Sequence, residues 1–214
     1  MRLEQIVLGP LDVNTYIISA DGSSDVVVID PGKAKPVVAY LEAQSLNCTH
    51  ILITHGHFDH TDGASALREA TGALLCIHKD DAYMLKSNGA SHVSFPTATF
   101  NTCEPDILLN DGVVLDVAGL KIEVIHTPGH SPGGLCFVLR DERVIFCGDT
   151  LFYESAGRTD FPGCSQRALY HSIVDKLYAL EGDYDVYCGH DRSTTLDHER
   201  ANNPLTVYGK RFQW

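Results

Sequence analysis

Positive charge is scarce in this sequence. Sixteen Lys and Arg face 28 Asp and Glu in 214 residues, a formal charge of -12. A surface of that sign disfavours nucleic acid and anionic membranes as partners, because both bind through clustered cations. Long apolar runs are also missing. Nothing approaches the roughly 20 residues a membrane helix needs, and Met1-Arg2-Leu3-Glu4-Gln5 does not open an apolar leader, so the expected setting is the cytoplasm. Seven cysteines are scattered, with no CxxC pair among them. That spacing argues against a disulfide framework or a thiolate zinc knot and predicts small buried hydrophobes in a reducing compartment.

What is present is an ordinary globular composition, 44% hydrophobic and 21% charged, of a length suited to one domain spanning residues 1–214. Strands are predicted at 3–7 and 15–19, then at the fully apolar Val26-Val27-Val28-Ile29. A helix follows over 36–46, with a strand at 50–54. Asp62 is the expected N-cap of a helix running to Gly72, ahead of a strand at 73–78. Periodicity fades between 86 and 108, and a segment of that length is expected to border the functional site. A strand-rich half follows. Hairpins are predicted at 113–117/120–125 and 135–139/143–147, an amphipathic helix at 165–180, a strand at 185–188 and a last helix at 195–202. Strands followed by helix in both halves predict an α/β fold, two sheets packed face to face with helices outside.

The chemistry is concentrated at strand ends. Thr54-His55-Gly56-His57-Phe58-Asp59-His60 follows the apolar run Ile51-Leu52-Ile53 and holds three imidazoles and a carboxylate. Pro128-Gly129-His130-Ser131-Pro132-Gly133, Gly148-Asp149-Thr150 and Gly189-His190-Asp191 end three later strands, each with Gly just before the candidate ligand. Glycine there permits a tight turn and a close backbone approach. Seven ligands (His55, His57, Asp59, His60, His130, Asp149 and His190) exceed the needs of one tetrahedral ion and suit a carboxylate-bridged pair. Nitrogen and oxygen donors suit zinc first, with iron or manganese also accommodated. The remaining histidines, His50, His78, His92, His126, His171 and His198, are read as packing or surface residues, His126 being the nearest to a supporting role.

The HxHxDH motif of His55, His57, Asp59 and His60, with the later Gly-His, Gly-Asp and Gly-His ends, resembles the metallo-β-lactamase fold superfamily. Within it the chain is similar to short glyoxalase II-like hydrolases. Gly148-Asp149-Thr150-Leu151-Phe152, Gly157-Arg158-Thr159-Asp160-Phe161, Glu199-Arg200 and Asn203-Pro204 carry that likeness. The resemblance implies a four-layer αββα sandwich. It implies one metal on His55, His57 and His130, a second on Asp59, His60 and His190, and Asp149 between them. It further implies thioester hydrolysis by a hydroxide shared by two zinc ions, with Asp59 handling its proton and a small-molecule substrate such as S-lactoylglutathione. Arg158 stands where such enzymes have a basic residue facing glutathione and is either a carboxylate clamp or a loop residue paired with Asp160; Tyr153 is a weaker candidate for a substrate contact, against a packing or loop role. The long glyoxalase II enzymes carry basic residues on a C-terminal helical domain, where this sequence has Lys210-Arg211-Phe212-Gln213-Trp214.

Three other readings compete. A persulfide dioxygenase of the same superfamily would use one iron on His55, His130 and Asp149, but such enzymes usually carry Cys where Ala156 stands. A lactonase fits the same ligands, and a metal-dependent binding protein would have no need of the full set.

Overall fold

The computed structural model describes residues 1–86 and 102–206. Two six-stranded sheets form its centre. The first has the order β1 (Arg2–Leu8), β2 (Val13–Ser19), β3 (Asp25–Ile29), β4 (Asn47–Leu52), β5 (Leu74–His78) and β6 (Ile107–Leu109). The second runs β12 (Thr194–Thr195), β11 (Asp185–Cys188), β10 (Val144–Gly148), β9 (Leu135–Leu139), β8 (Leu120–His126) and β7 (Val114–Val117). Pairing is antiparallel through β1, β2 and β3, then parallel through β3, β4, β5 and β6.

The alternation of strand side chains sorts the layers. Val27 and Ile29 face the second sheet, where they meet Phe137 and Phe146. Val26 and Val28 face Val37 and Leu41 of α1 (Ala34–Ala43) and Leu67 of α3 (Ala64–Thr71). Such strands are covered on both faces and so carry no polar alternation. The far face of the second sheet, with Val138, Ile145 and Val186, packs on Leu169, Ile173, Leu177 and Leu196. These come from α4 (Gln166–His171), its continuation over Ser172–Leu177 and α5 (Leu196–Asn202). Helix, sheet, sheet, helix is the predicted αββα arrangement, and the stripe Leu169, Ile173, Leu177 and Leu180 is buried as its spacing requires.

Three local expectations change. Asp62 does not cap α3: it ends the single turn α2 (Phe58–Thr61) and pairs with Lys33, while Gly63 precedes α3 without a side-chain cap. The ion pair holds the carboxylate away from the α3 amides, so Asp59 and His60 lie within a helical turn of their own. The helix predicted over 165–180 changes from α to π winding at Ser172, whose hydroxyl donates to the Pro128 carbonyl at 2.7 Å. This ties the helix to the turn that carries His130. Of the segment 86–108, β6 regains strand structure at Ile107; residues 87–101, with His92, and residues 207–214 lie outside the described residues.

Candidate metal centre

The strand ends that carry the candidate ligands lie together. His55, His57 and His130 each bring a ring nitrogen within 4.8 Å of the others; so do the donor atoms of Asp59, His60 and His190, and those of His55, His60 and Asp149. All seven expected ligands are therefore brought to one place. Asp149 lies between the two groups. Its Oδ2 is 3.4 Å from His130 Nε2 and 3.7 Å from His190 Nε2, and its Oδ1 is 3.3 Å from His60 Nε2. Asp59 Oδ2 lies 3.1 Å from His190 Nε2 and 3.5 Å from His60 Nε2.

Glycine makes this convergence possible at two points. Gly148 has φ +47, and a Cβ on it would lie 2.3 Å from Thr54 Oγ1. A Cβ on Gly189 would lie 2.2 Å from Asp149 Oδ1 and 2.7 Å from the His60 ring.

The ring nitrogens facing away from the centre are held by partners that fix which nitrogen bears hydrogen. His60 Nδ1–H donates to Asp30 Oδ2 at 2.8 Å, and His130 Nδ1–H to the Arg158 carbonyl at 2.9 Å. The Thr54 hydroxyl donates to Asp30 Oδ2 at 2.6 Å, which leaves its oxygen to accept from His55 Nδ1–H at 3.1 Å. His55, His60 and His130 thus turn their Nε2 atoms inward. For His57 the inward atom is Nδ1, 2.9 Å from His130 Nε2.

Electrostatics match a cation site. Burial, helped by the neighbouring imidazoles, pushes His55 well below its ordinary range and His57 down to about 4, so both are neutral lone-pair donors at pH 7. Burial opposes ionisation of Asp149, but His60, His130 and His190 outweigh it and hold the carboxyl well below the usual range. Burial likewise pushes His60 down, yet Asp149, Asp59 and Asp30 together raise it. The carboxylates thus draw positive charge into this space. Among the described residues, four buried side-chain polar atoms have no hydrogen-bond partner, Ser19 Oγ, Tyr178 Oη, His55 Nε2 and Asp149 Oδ1, and the last two lie together in this cluster. Orphaning two such atoms costs about 1–3 kcal/mol each unless an ion satisfies them. The donor set therefore fits two divalent cations.

Arg158 and Tyr153 lie outside this cluster. Arg158 makes a two-pronged pair with Asp160, both bonds 2.7 Å, and its guanidinium lies over the Phe161 ring. Its main-chain carbonyl is the part that reaches His130. Tyr153 stacks on His198 and lines a cleft of about 500 Å³ with Phe152, Ser155, Asp191 and Arg192, beside His190. His126 stacks on His78, and its Nε2 faces the Pro132 carbonyl at 2.9 Å, so it meets the Pro128–Gly133 turn and no ligand.

Two buried carboxylates are not singled out by the sequence pattern above. Asp30 directly follows β3 in an Asp-Pro-Gly turn, a strand-end position like that of the ligands though without a preceding glycine, and that position could have found it. Asp81 accepts from Gly56 N at 3.0 Å, Gly133 N at 2.6 Å and the Ser131 hydroxyl at 2.7 Å, clamping the His55–His57 loop to the His130 turn. Nothing in Lys79-Asp80-Asp81 distinguishes it from a solvated surface run.

Comparison with known proteins agrees with this geometry. Residues 8–190 match the metallo-beta-lactamase superfamily. The hydroxyacylglutathione hydrolase GloC of Haemophilus influenzae is 32% identical, over 96% of this chain and 98% of its own length. Among solved structures, BLEG-1, titled a B3 metallo-beta-lactamase, superposes with TM-score 0.89 at 33% identity, covering 95% of this chain and 99% of its own. TTHA1623, solved in a di-iron-bound form, gives TM-score 0.85 at 33% identity, over 94% and 99% of the two chains. The chain belongs to the metallo-beta-lactamase superfamily.

Proposed function

We propose that this protein hydrolyses thioesters of the S-lactoylglutathione type, as a glyoxalase II-like enzyme with two zinc ions. His55, His57 and His130 would hold one ion and Asp59, His60 and His190 the other, with Asp149 shared. Such a pair supplies Lewis acidity toward a carbonyl and lowers the pKa of water to near neutrality. The observation carrying the proposal is the convergence of two three-ligand groups on one carboxylate, Asp149, with open space on the His190 side, where that ring is 20% exposed. Likeness to an enzyme named hydroxyacylglutathione hydrolase, over nearly its whole length, supports the substrate class.

The chain's own residues have separable tasks. Asp59 is held below the ordinary carboxyl range: burial raises it, but His60 and His190 outweigh that. It is ionised at neutral pH and can accept a hydrogen bond from the attacking water, orienting it. Water adds to the thioester carbonyl, the C–S bond breaks, and the products are a carboxylate and a thiol. His130 is kept in place by the Arg158 carbonyl and His60 by Asp30, so the donors need no reorganisation during turnover.

The test pairs zinc content per chain with S-lactoylglutathione turnover in one preparation. Two metals per chain with steady thioester cleavage is the expected result. A fully loaded protein that spares the thioester but consumes oxygen with glutathione persulfide would replace this reading with the oxidative one, and cleavage of lactones alone would make it a lactonase.

A further inference from the structure

Among the described residues, several cationic side chains are already engaged. Arg158 is paired with Asp160, Lys33 with Asp62, and Arg200 with Asp197 and the carbonyls of Tyr178, Leu180 and Gly182. Arg192 differs. Its guanidinium carbon lies 3.3 Å above the centre of the Tyr153 ring, and among the described residues no carboxylate lies within 4.0 Å of it, although its charge is felt by Glu154. Stacking on an aromatic face fixes the plane of a guanidinium and leaves its N–H edge free to meet a carboxylate with two parallel bonds.

The position is built and adjoins the metal centre. Arg192 follows metal-centre residue His190 by two positions, after Asp191 at φ +58. Buried Asn14 pins that loop by donating from Nδ2 to the carbonyls of Cys188 and Asp191, each at 3.0 Å. Tyr153 is held from its other neighbour by stacking on His198, whose Nε2 meets Glu154 at 3.0 Å. Glu154 is thereby occupied, while Asp191 lines the cleft without pairing with the guanidinium. At about 500 Å³ the cleft suits a peptide-sized group rather than a two- or three-carbon acyl chain.

We propose that Arg192, seated on Tyr153, binds a carboxylate on the thiol half of the substrate and selects anionic thiols. This rests on the thioester reading above and names the residue that would give it specificity. Arg192 acts in binding alone, since it lies on the rim and no ligand of the metal centre depends on it.

Calorimetric titration of the metal-loaded protein with glutathione and with glutathione diethyl ester tests this apart from turnover. The free acid is expected to bind roughly tenfold more tightly than the diester in the wild type. Arg192→Gln is expected to bring the two within twofold, and Arg192→Lys, which keeps charge without the planar fork, to restore part of the gap. Kinetically, Arg192→Gln should raise KM for S-lactoylglutathione about tenfold with kcat unchanged, the pattern of lost uniform binding. Equal binding of acid and diester by the wild type, no binding of either at millimolar concentration, or a gap that survives Arg192→Gln would overturn the assignment. If the gap behaves as expected but S-lactoylglutathione is not cleaved, the hydrolase reading fails and the Arg192 site stands. Cleavage without the gap would remove the Arg192 site and leave the hydrolase in place.

Discussion

Replacing Asp30 with Asn removes one charge and one acceptor from beneath the metal centre without moving the backbone. Asp30 sits at φ +49, a left-handed conformation that asparagine tolerates well. Its carboxylate is buried and accepts three hydrogen bonds: Thr54 N–H at 2.8 Å, the Thr54 hydroxyl at 2.6 Å and His60 Nδ1–H at 2.8 Å. An amide can face only part of that set with its oxygen. Turned one way, its NH₂ opposes the Thr54 N–H; turned the other, it opposes His60 Nδ1–H. In the second case His60 moves its proton to Nε2, the atom aimed at the ion. A buried donor left without an acceptor costs about 1–3 kcal/mol, and outer-sphere partners of ligating histidines are typically worth 10- to 100-fold in metal affinity. Chelator competition on Asp30→Asn should therefore show one of two zinc ions weakened by about 10- to 100-fold. Urea unfolding of the metal-free protein should show a loss of about 1–3 kcal/mol. Two ions bound within twofold of wild-type affinity, with unchanged unfolding, would mean that Asp30 neither orients His60 nor sets its tautomer.

Three further outcomes follow from the same geometry. Gly189→Ala should lower bound metal and activity together, because its new methyl would occupy space 2.2 Å from Asp149 Oδ1; metal analysis of the purified variant checks this. Zinc at about 100 times Kd should stabilise the fold by about 2.7 kcal/mol for each ion, about 5 kcal/mol for the pair, and raise Tm by about 10–20 °C for a chain this long, read by thermal scanning with and without chelator. Native thiol titration at pH 8 should show only Cys103 and Cys164 reacting readily, and all seven cysteines after unfolding. Burial pushes the thiols of Cys48, Cys76 and Cys136 up to about 12, so they stay protonated and unreactive at pH 8. Above about pH 9 the unfolded chain's thiols ionise while these do not, so stability falls as pH rises from there toward about 12.

Most of the layer order was legible because it rests on periodicity. A strand such as Val26–Ile29, apolar at every position, must be covered on both sides, and a helix with Leu169, Ile173 and Leu177 in register must bury one stripe. The Asp62 cap failed for a reason invisible in sequence: Lys33, 29 residues away, takes the carboxylate first. The expected carboxylate clamp, Arg158, raises the same difficulty. Arg158 and Asp160 are two residues apart and bond to one another, a choice that depends on how the loop folds over Phe161.

The sequence by itself determined which side chains are candidate metal ligands, because residue type and position at a strand end are local properties. It also determined the layers, through the spacing of apolar residues. Only the tertiary structure decided how those ligands are aimed. Asp30 meets His60 across 30 positions and Asp81 meets Gly133 across 52, while Tyr153 reaches Arg192 only because their two loops share one rim. Such pairings depend on where the strand ends come to lie in the packed sheets, and hydrogen-bond geometry allows an error of only a few tenths of an ångström.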